Sequence, residues 1–247
     1  MHDWYEKNYW RAGFKSRLYD LLTPESYFES MRQTVALIPD KKGQVIWDAG
    51  CGSGVLLEFL EDAFKREGIY VGSDMLAAGL EQMRRRAKEL GVFDQVSCLQ
   101  NDLSEPSLFK ENSVDVVVAH FSIYTLRDND KRQQALKNMC HVLKPGGLLI
   151  VTCPSKNYDA VKIIKESCEL LRVRRGLLQT MIKRMFFYPF TKWLGLNFIQ
   201  NQLESGQWKA YTPEGLAEEL QQAGLKIGSL KALYAGGAYL MCGRKMG

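Results

Sequence analysis

Short apolar runs alternate with amphipathic helical stretches through the middle of the chain, and this alternation limits the possible folds more than any other feature. Five runs have the β-branched and aromatic content of strands: Val45–Asp48, Ile69–Gly72, Val96–Leu99, Val114–Val118 and Leu148–Thr152. Helix-like stretches lie between them, at residues 76–90 and 131–143. Strands that alternate with helices predict βαβ units and a parallel sheet with helices on both faces, an α/β fold.

The flanking sequence predicts additions to that core within a single domain of residues 1–247. Residues 1–43 are rich in aromatic side chains and are predicted to form a partly helical N-terminal cap on the core of residues 44–154. Residues 155–210 predict a helical insertion after the fifth strand, with helices at 161–173 and 177–193 and a break near Pro189. Residues 211–247 predict a helix that starts at the Thr212-Pro213 cap, then two closing strands.

Composition excludes several classes of protein. The chain has 247 residues, 46% hydrophobic and 25% charged, typical of a folded globular protein rather than a disordered or collagen-like one. The six cysteines lack CxxC spacing, which favours reduced thiols over disulfides or a zinc site. With no long apolar run and no secretory-type start, a cytoplasmic location is expected, and no metal site is predicted.

A glycine-rich loop follows the first predicted strand. Asp48 ends the strand and Gly50, Gly52 and Gly54 follow at every second position before a predicted helix. Glycines at such a turn let backbone amides approach a ligand, and a helix N-terminus adds partial positive charge. A dinucleotide site prefers GxGxxG, and here the third glycine comes one position early. A plain glycine turn is the alternative.

Acidic residues recur at the ends of the next strands. Asp74 ends the second strand, followed by Met75, and the third strand ends at Asn101-Asp102-Leu103. Taken in order with the glycine loop, these positions resemble the class I S-adenosylmethionine-dependent methyltransferases. The resemblance implies a Rossmann-like sheet of seven strands, mostly parallel with the last strand antiparallel.

The resemblance also implies the cofactor, S-adenosyl-L-methionine, with S-adenosyl-L-homocysteine as product. Asp48 would then take the ammonium, the glycine-loop amides the carboxylate, Asp74 the ribose hydroxyls and Asp102 the adenine amine. The complete predicted cofactor set is Tyr19, Asp48, Gly50, Cys51, Gly52, Gly54, Asp74, Met75, Asn101, Asp102, Leu103 and His120.

Two further segments resemble the ubiquinone/menaquinone-biosynthesis-like small-molecule methyltransferases. They are residues 119–126 after the fourth strand and residues 141–147, where His141 replaces the usual arginine. This placement makes His120 and Tyr124 the candidate catalytic residues; the alternative is that His120 only lines the cofactor. Tyr19-Asp20 resembles a pair from the N-terminal helix of the quinone enzymes, although a plain core aromatic fits Tyr19 equally.

The methyl acceptor is predicted to be a small molecule, apolar or aromatic. The chain lacks both the Asp/Asn-Pro-Pro-aromatic pattern of amino-directed nucleic-acid methyltransferases and the paired cysteines of pyrimidine C5 methylation. An RNA or protein methyltransferase that docks through the basic insertion is the alternative, and a scaffold that only retains the fold is a second one.

Positive charge is concentrated in the insertion. Residues 155–210 hold ten Lys/Arg and four Asp/Glu, whereas the rest of the chain is close to neutral. Three interpretations stay open: an ordinary helical cover, a lid over an apolar acceptor pocket, or a basic element that makes peripheral contact with an anionic membrane.

Overall fold

The computed structural model describes residues 22–247, and a seven-stranded sheet forms its centre. The strands are β1 Val45–Ala49, β2 Ile69–Asp74, β3 Val96–Gln100, β4 Val114–His120, β5 Leu143–Pro154, β6 Leu225–Leu233 and β7 Ala238–Lys245. Their order across the sheet is β3-β2-β1-β4-β5-β7-β6.

Strand direction confirms the predicted fold class. Strands β1 to β5 pair in parallel, whereas β7 runs antiparallel to both of its neighbours, β5 and β6. The strand order reverses between β1 and β4, which places a crevice at the carboxyl ends of these strands, where open α/β sheets bind ligands.

Helices cover both faces of the sheet. They are α1 Glu25–Val35, α2 Glu61–Lys65, α3 Ala77–Glu89, α4 Asn129–Val142, α5 Ala160–Ile182, α6 Asn197–Glu204 and α7 Pro213–Gln222. Strand β4 is buried along its whole length: Val116 and Val118 belong to one hydrophobic core, and Val117 and Ala119 to the other. Two-sided burial of this kind explains the nearly continuous apolar run in its sequence.

The segment after the glycine loop differs from the prediction. Instead of one helix it forms a five-residue 3-10 turn, Val55–Phe59, and the five-residue helix α2. Leu60, between them, has φ −102° and ψ 17°, outside the α-helical region, so the two pieces are not continuous. The helix N-terminus predicted to supply partial positive charge is therefore reduced to a short turn, and that part of the prediction is wrong.

Residues 144–147 form the irregular start of β5. Gly146 has φ +76°, and the pairing with β4 shifts register between Val114 and Val116. The carboxylate of Asp115, at this irregularity, accepts hydrogen bonds from Lys144 Nζ at 2.6 Å and from the Val45 amide at 2.9 Å. Through Asp115, the start of β5 is therefore connected to β4 and to the start of β1.

Residues 160–204 of the insertion are mostly helical, but the bend lies at Gly176 rather than near Pro189. Helix α5 is kinked at Gly176, which has φ +82°, and the chain then continues through the π-helical turns Lys183–Phe187 and Thr191–Leu196. Pro189 lies in the first turn of the short helix between them, where its missing N–H removes no bond. Within residues 22–247, no helix is both long and apolar enough to cross a bilayer.

Candidate cofactor site and the cluster around His120

The glycine loop passes too close to its neighbours for side chains. Gly50, Gly52 and Gly54 all have φ between +52° and +84°. A Cβ on Gly50 would lie 2.4 Å from the Ser122 Cβ, and one on Gly54 would lie 2.2 Å from the Met83 Cγ. Both the backbone conformation and the lack of space therefore require glycine here.

Hydrogen bonds within the protein hold the loop against the end of β2. The amides of Gly50 and Cys51 donate to the Ser73 carbonyl at 2.8 and 2.9 Å, and the Gly52 amide donates to Asp74 Oδ2 at 2.9 Å. These three amides are therefore already engaged. The prediction that loop amides meet a carboxylate stays a prediction, and these contacts do not support it for those three.

Asp48 is buried at the end of β1. Its side chain is 3% exposed, and its Oδ2 accepts a hydrogen bond of 2.6 Å from the Tyr70 hydroxyl. Burial raises the pKa of Asp48 to about 7, the nearby charge of Asp74 adds to the rise, and the bond from Tyr70 opposes it. A cationic ligand would favour the charged carboxylate. Tyr70 was not among the predicted site residues, and the sequence carries no signal for this contact because it depends on the pairing of β1 with β2.

Asp74 joins two backbone segments at the end of β2. Its Oδ2 accepts from Gly52 as above, and its Oδ1 accepts from the Leu76 amide at 2.9 Å. Burial raises the pKa of this carboxyl, while the backbone donors lower it. The side chain of the next residue, Met75, is exposed, so it is accessible to a ligand.

The end of β3 forms a tight polar turn. Asp102 Oδ1 accepts from the Ser104 amide at 2.9 Å and from its hydroxyl at 2.8 Å. The Asn101 amide donates to the Asp74 carbonyl at 3.3 Å, so the ends of β2 and β3 are connected. Leu103 is buried in the core. Asn101 Oδ1 is buried and has no hydrogen-bond partner within the described part of the chain.

His120, at the end of β4, is buried and contacts Ser30. Its Nε2 lies 2.9 Å from the Ser30 hydroxyl, which also lies 2.7 Å from the Tyr27 carbonyl and can donate to it. This arrangement favours the tautomer in which Ser30 accepts from Nε2–H and Nδ1 is the lone-pair nitrogen. Nδ1 is buried without a hydrogen-bond partner in residues 22–247. Burial lowers the pKa of His120 to about 3.

Nuclear magnetic resonance tests this assignment of His120. In long-range ¹H–¹⁵N spectra we expect a neutral ring protonated at Nε2 at pH 6, because the folded site disfavours the charged form until about pH 3. Ser30→Ala removes the acceptor and should produce a mixture of tautomers, while His120→Asn identifies the signal. A protonated ring at pH 6, or a pure Nδ1–H tautomer, would contradict the assignment.

Aromatic rings surround His120. Tyr27 from α1 meets the imidazole edge to face at 5.2 Å between centroids, and Phe121 does so at 4.7 Å. Phe121 has φ +50°, uncommon for a bulky residue and often associated with a functional site. Tyr124 is buried, 6.3 Å from Phe121 and 5.3 Å from Trp208. Ser30 and Tyr27 were missed by sequence reasoning, which had no signal for them.

A cavity of about 500 Å³ opens beside Trp208, whose ring contacts that of Tyr124. Most of its lining side chains are polar or charged, and they include Arg127, Arg132, Lys156, Gln200, Glu204 and Lys209. Lys209 is held by Glu219, since its Nζ lies 2.5 Å from Glu219 Oε1. Its backbone amide donates to the Tyr124 carbonyl at 3.0 Å, which connects the cavity to the β4 loop.

The structure places the predicted residues along one edge of the sheet. Asp48, Asp74, Asp102 and His120 lie at or just beyond the carboxyl ends of four adjacent strands, and the glycine loop lies between the first two. Tyr19 lies outside the described residues. In residues 22–247 the six cysteines are free, and no group of three or more His, Cys, Asp or Glu side chains could hold a metal ion.

The chain is similar in sequence to known methyltransferases. Residues 46–147 match a methyltransferase domain family. The ubiquinone/menaquinone biosynthesis C-methyltransferase of Haemophilus ducreyi is 34% identical over 111 residues, 45% of this chain and 41% of that protein. Its counterpart in Legionella pneumophila (strain Corby) is 30% identical over 135 residues, 55% of this chain and 52% of that protein. The chain thus spans about half the length of these curated relatives.

Solved structures share the fold over nearly the whole chain. A SAM-dependent methyltransferase from Aquifex aeolicus superimposes with a TM-score of 0.60 at 14% identity, covering 93% of this chain and 97% of that one. A putative methyltransferase in complex with the Haloferax volcanii Trm112 activator gives 0.63 at 17% identity, covering 99% and 97%. Residues 46–147 thus correspond to a methyltransferase domain, and the chain as a whole has the fold of solved S-adenosylmethionine-dependent methyltransferases. The quinone-biosynthesis C-methyltransferases are among its sequence relatives.

Proposed function

We propose that this protein transfers a methyl group from S-adenosylmethionine to a small, apolar or aromatic acceptor. The observation that carries the proposal is the row of carboxylates Asp48, Asp74 and Asp102 at the ends of three adjacent parallel strands, with the glycine loop between the first two. S-adenosylmethionine, when bound, supplies an electrophilic methyl group on a positively charged sulfur.

Each carboxylate fits one part of that cofactor. The buried carboxyl of Asp48, whose pKa is raised to about 7, would become fully charged beside the ammonium group. Asp74 would accept from the ribose hydroxyls, and Asp102 from the adenine amine. Asn101 Oδ1, buried without a partner in the described structure, offers a second acceptor at the adenine end.

The acceptor is proposed to approach from the β4 side, along His120, Phe121 and Tyr124. His120 has a pKa of about 3, so it is a weak proton acceptor near neutral pH. That value favours a role in which Nδ1 accepts a hydrogen bond and orients a ligand over a role as general base. Tyr124 would form the wall between the methyl group and the cavity beside Trp208. The aromatic walls exclude water, which favours a transfer that cancels charge.

The C-methylating relatives and the apolar surroundings of His120 support a small-molecule acceptor over RNA or protein. Isotope transfer tests this directly. Protein incubated with methyl-labelled S-adenosylmethionine is expected to label a member of a panel of phenols and reduced quinones, and not RNA or bulk protein. Label in RNA or protein alone would overturn the proposed acceptor class.

Asp74→Ala is expected to weaken binding of S-adenosylhomocysteine by about 5- to 150-fold, the loss that corresponds to charge-assisted hydrogen bonds worth about 1–3 kcal/mol. The substitution removes the proposed ribose acceptor and also the bond that holds the Gly52 amide. Calorimetric titration of both proteins measures the change, with NAD as a ligand that should not bind.

The substitution Asp128→Ala is a matched control for the loss of a side-chain to backbone hydrogen bond without loss of a proposed ligand contact. Asp128 also accepts a bond from the amide two residues ahead, Asp130, at 2.8 Å, but it caps helix α4 and is not one of the carboxylates assigned to the cofactor. Asp128→Ala should leave the affinity unchanged. Equal affinity for the Asp74→Ala protein and the wild type would refute the ribose placement, and NAD binding would refute the cofactor class.

A further inference from the structure

The insertion exposes an unusual amount of apolar side chain. Nine large hydrophobic residues between Val173 and Trp193 are solvent-exposed, Leu178 to 73% and Trp193 to 71%. The full set is Val173, Leu177, Leu178, Met181, Ile182, Met185, Phe186, Phe190 and Trp193. Folded monomers seldom expose contiguous apolar patches of this kind without a partner.

These side chains follow the helical repeat rather than scattering. Leu178, Ile182, Phe186 and Phe190 succeed one another at intervals of four residues, and Leu177, Met181 and Met185 form a second row beside them. Residues four apart lie on one face of a helix, so the two rows form one broad stripe. The buried residues of the same segment, Thr180, Tyr188 and Thr191, interrupt neither row. We call residues 172–193 the basic apolar surface.

Positive charge accompanies the stripe. From Arg172 to Leu203 the sequence contains six Lys or Arg and no Asp or Glu. Arg174 forms ion pairs with Glu25 and Glu29 of α1. The other five cations form no ion pair with any residue of the described part: Arg172, Arg175, Lys183, Arg184 and Lys192. Burial lowers the pKa of Lys183, which is partly buried.

This charge decides between possible occupants. A second copy of the same surface would bring a like set of unpaired cations together, which is unfavourable. The first 21 residues carry four Lys/Arg and three Asp/Glu, too little negative charge to neutralise the surface. RNA would satisfy the cations but leave the aliphatic rows in water. An anionic bilayer meets both requirements, because its apolar interior can bury the hydrophobic side chains and its negatively charged headgroups can bind the cations.

We propose that the basic apolar surface docks the protein onto anionic membranes, with its apolar rows in the interface and its cations among the lipid headgroups. No helix of the described chain could span the bilayer, so the contact is peripheral. The inference goes beyond the proposed function and does not depend on it, because docking requires neither cofactor nor acceptor.

Vesicle sedimentation with the full chain tests the proposal. We expect binding to phosphatidylcholine vesicles that contain phosphatidylserine to be at least about tenfold tighter than to phosphatidylcholine alone, and to weaken with salt. The apolar variant Phe186→Ser/Trp193→Ser and the charge variant Arg175→Glu/Arg184→Glu should each reduce binding about tenfold or more.

Matched controls alter comparable side chains elsewhere. Leu108→Ser removes an apolar side chain that is 69% exposed outside the insertion, and Lys131→Glu/Lys137→Glu reverses two exposed charges on α4. Both should bind vesicles as the wild type does. Equal loss in the controls would overturn the proposal. So would retention on single-stranded RNA without vesicle binding, or a dimer in solution that the apolar variant converts to monomer.

Discussion

Gly54→Ala is expected to lower the free energy of unfolding by about 2–5 kcal/mol, a large share of the roughly 5–15 kcal/mol that stabilises a typical domain. Two independent effects add. Gly54 has φ +72°, a conformation that is unfavourable for alanine by about 1–2 kcal/mol. Its new Cβ would also lie 2.2 Å from the Met83 Cγ in the buried face of α3, and overpacking of this kind costs about 1–3 kcal/mol.

Gly43→Ala provides the matched control for Gly54→Ala. Gly43 has a similar φ of +64°, but no atom lies within 4 Å of the Cβ that would be added. It should therefore show only the backbone effect. Urea denaturation of both variants measures the difference, which reports the steric part alone. Equal destabilisation of the two would mean that the glycine loop is not pressed against α3.

The fold was predictable because its evidence lies in the order of local patterns. Strand β4 has a run of apolar residues that only two-sided burial explains, and β1, β2 and β5 repeat it between helical stretches. The antiparallel last strand followed from the family resemblance instead. The incorrect detail was the helix predicted directly after the glycine loop. Leu60 departs from helical geometry, although the sequence has no proline or glycine at that point to indicate a break.

The sequence could predict only those residues of the candidate site that stand at the ends of strands. Asp48, Asp74 and Asp102 were found because the ends of parallel strands meet at one edge of the sheet. Tyr70 and Ser30 could not be found in this way, since each is paired with a residue 22 or 90 positions away. Those pairings depend on how β2 and α1 pack, and spacing in the sequence does not encode them. A sequence motif therefore locates the site residues, and the structure adds the hydrogen-bond partners that indicate what each residue can do.

Burial of Asp48 has a consequence for the pH dependence of the site, although its hydrogen bond from Tyr70 opposes the effect. A buried carboxyl with a pKa of about 7 is partly protonated at neutral pH, although its ordinary value is near 4. The folded pKa is raised above the unfolded one, so the bound proton stabilises the ligand-free protein. That stabilisation is present at low pH and is lost as the pH rises from about 4 through about 7.

Binding of S-adenosylhomocysteine is expected to show the opposite trend. The ammonium group of the ligand favours the charged carboxylate, so affinity should rise by about tenfold per pH unit between about pH 5 and pH 7 and then level off. Binding near pH 6 should also release a proton from Asp48. Calorimetry in buffers of different ionisation enthalpy measures both quantities in one series.

Asp48→Asn should abolish this pH dependence and weaken binding at pH 8 by about 10- to 100-fold, because the amide cannot pair with an ammonium group. The amide oxygen of the variant side chain would still accept the hydrogen bond from Tyr70, so the fold of the site is conserved. Asp102→Asn changes another carboxylate of the same row and leaves Asp48 in place; its pH dependence should match that of the wild type. An affinity independent of pH in the wild type would show that Asp48 does not face the ammonium group, which would remove the electrostatic basis for placing the cofactor along these strands.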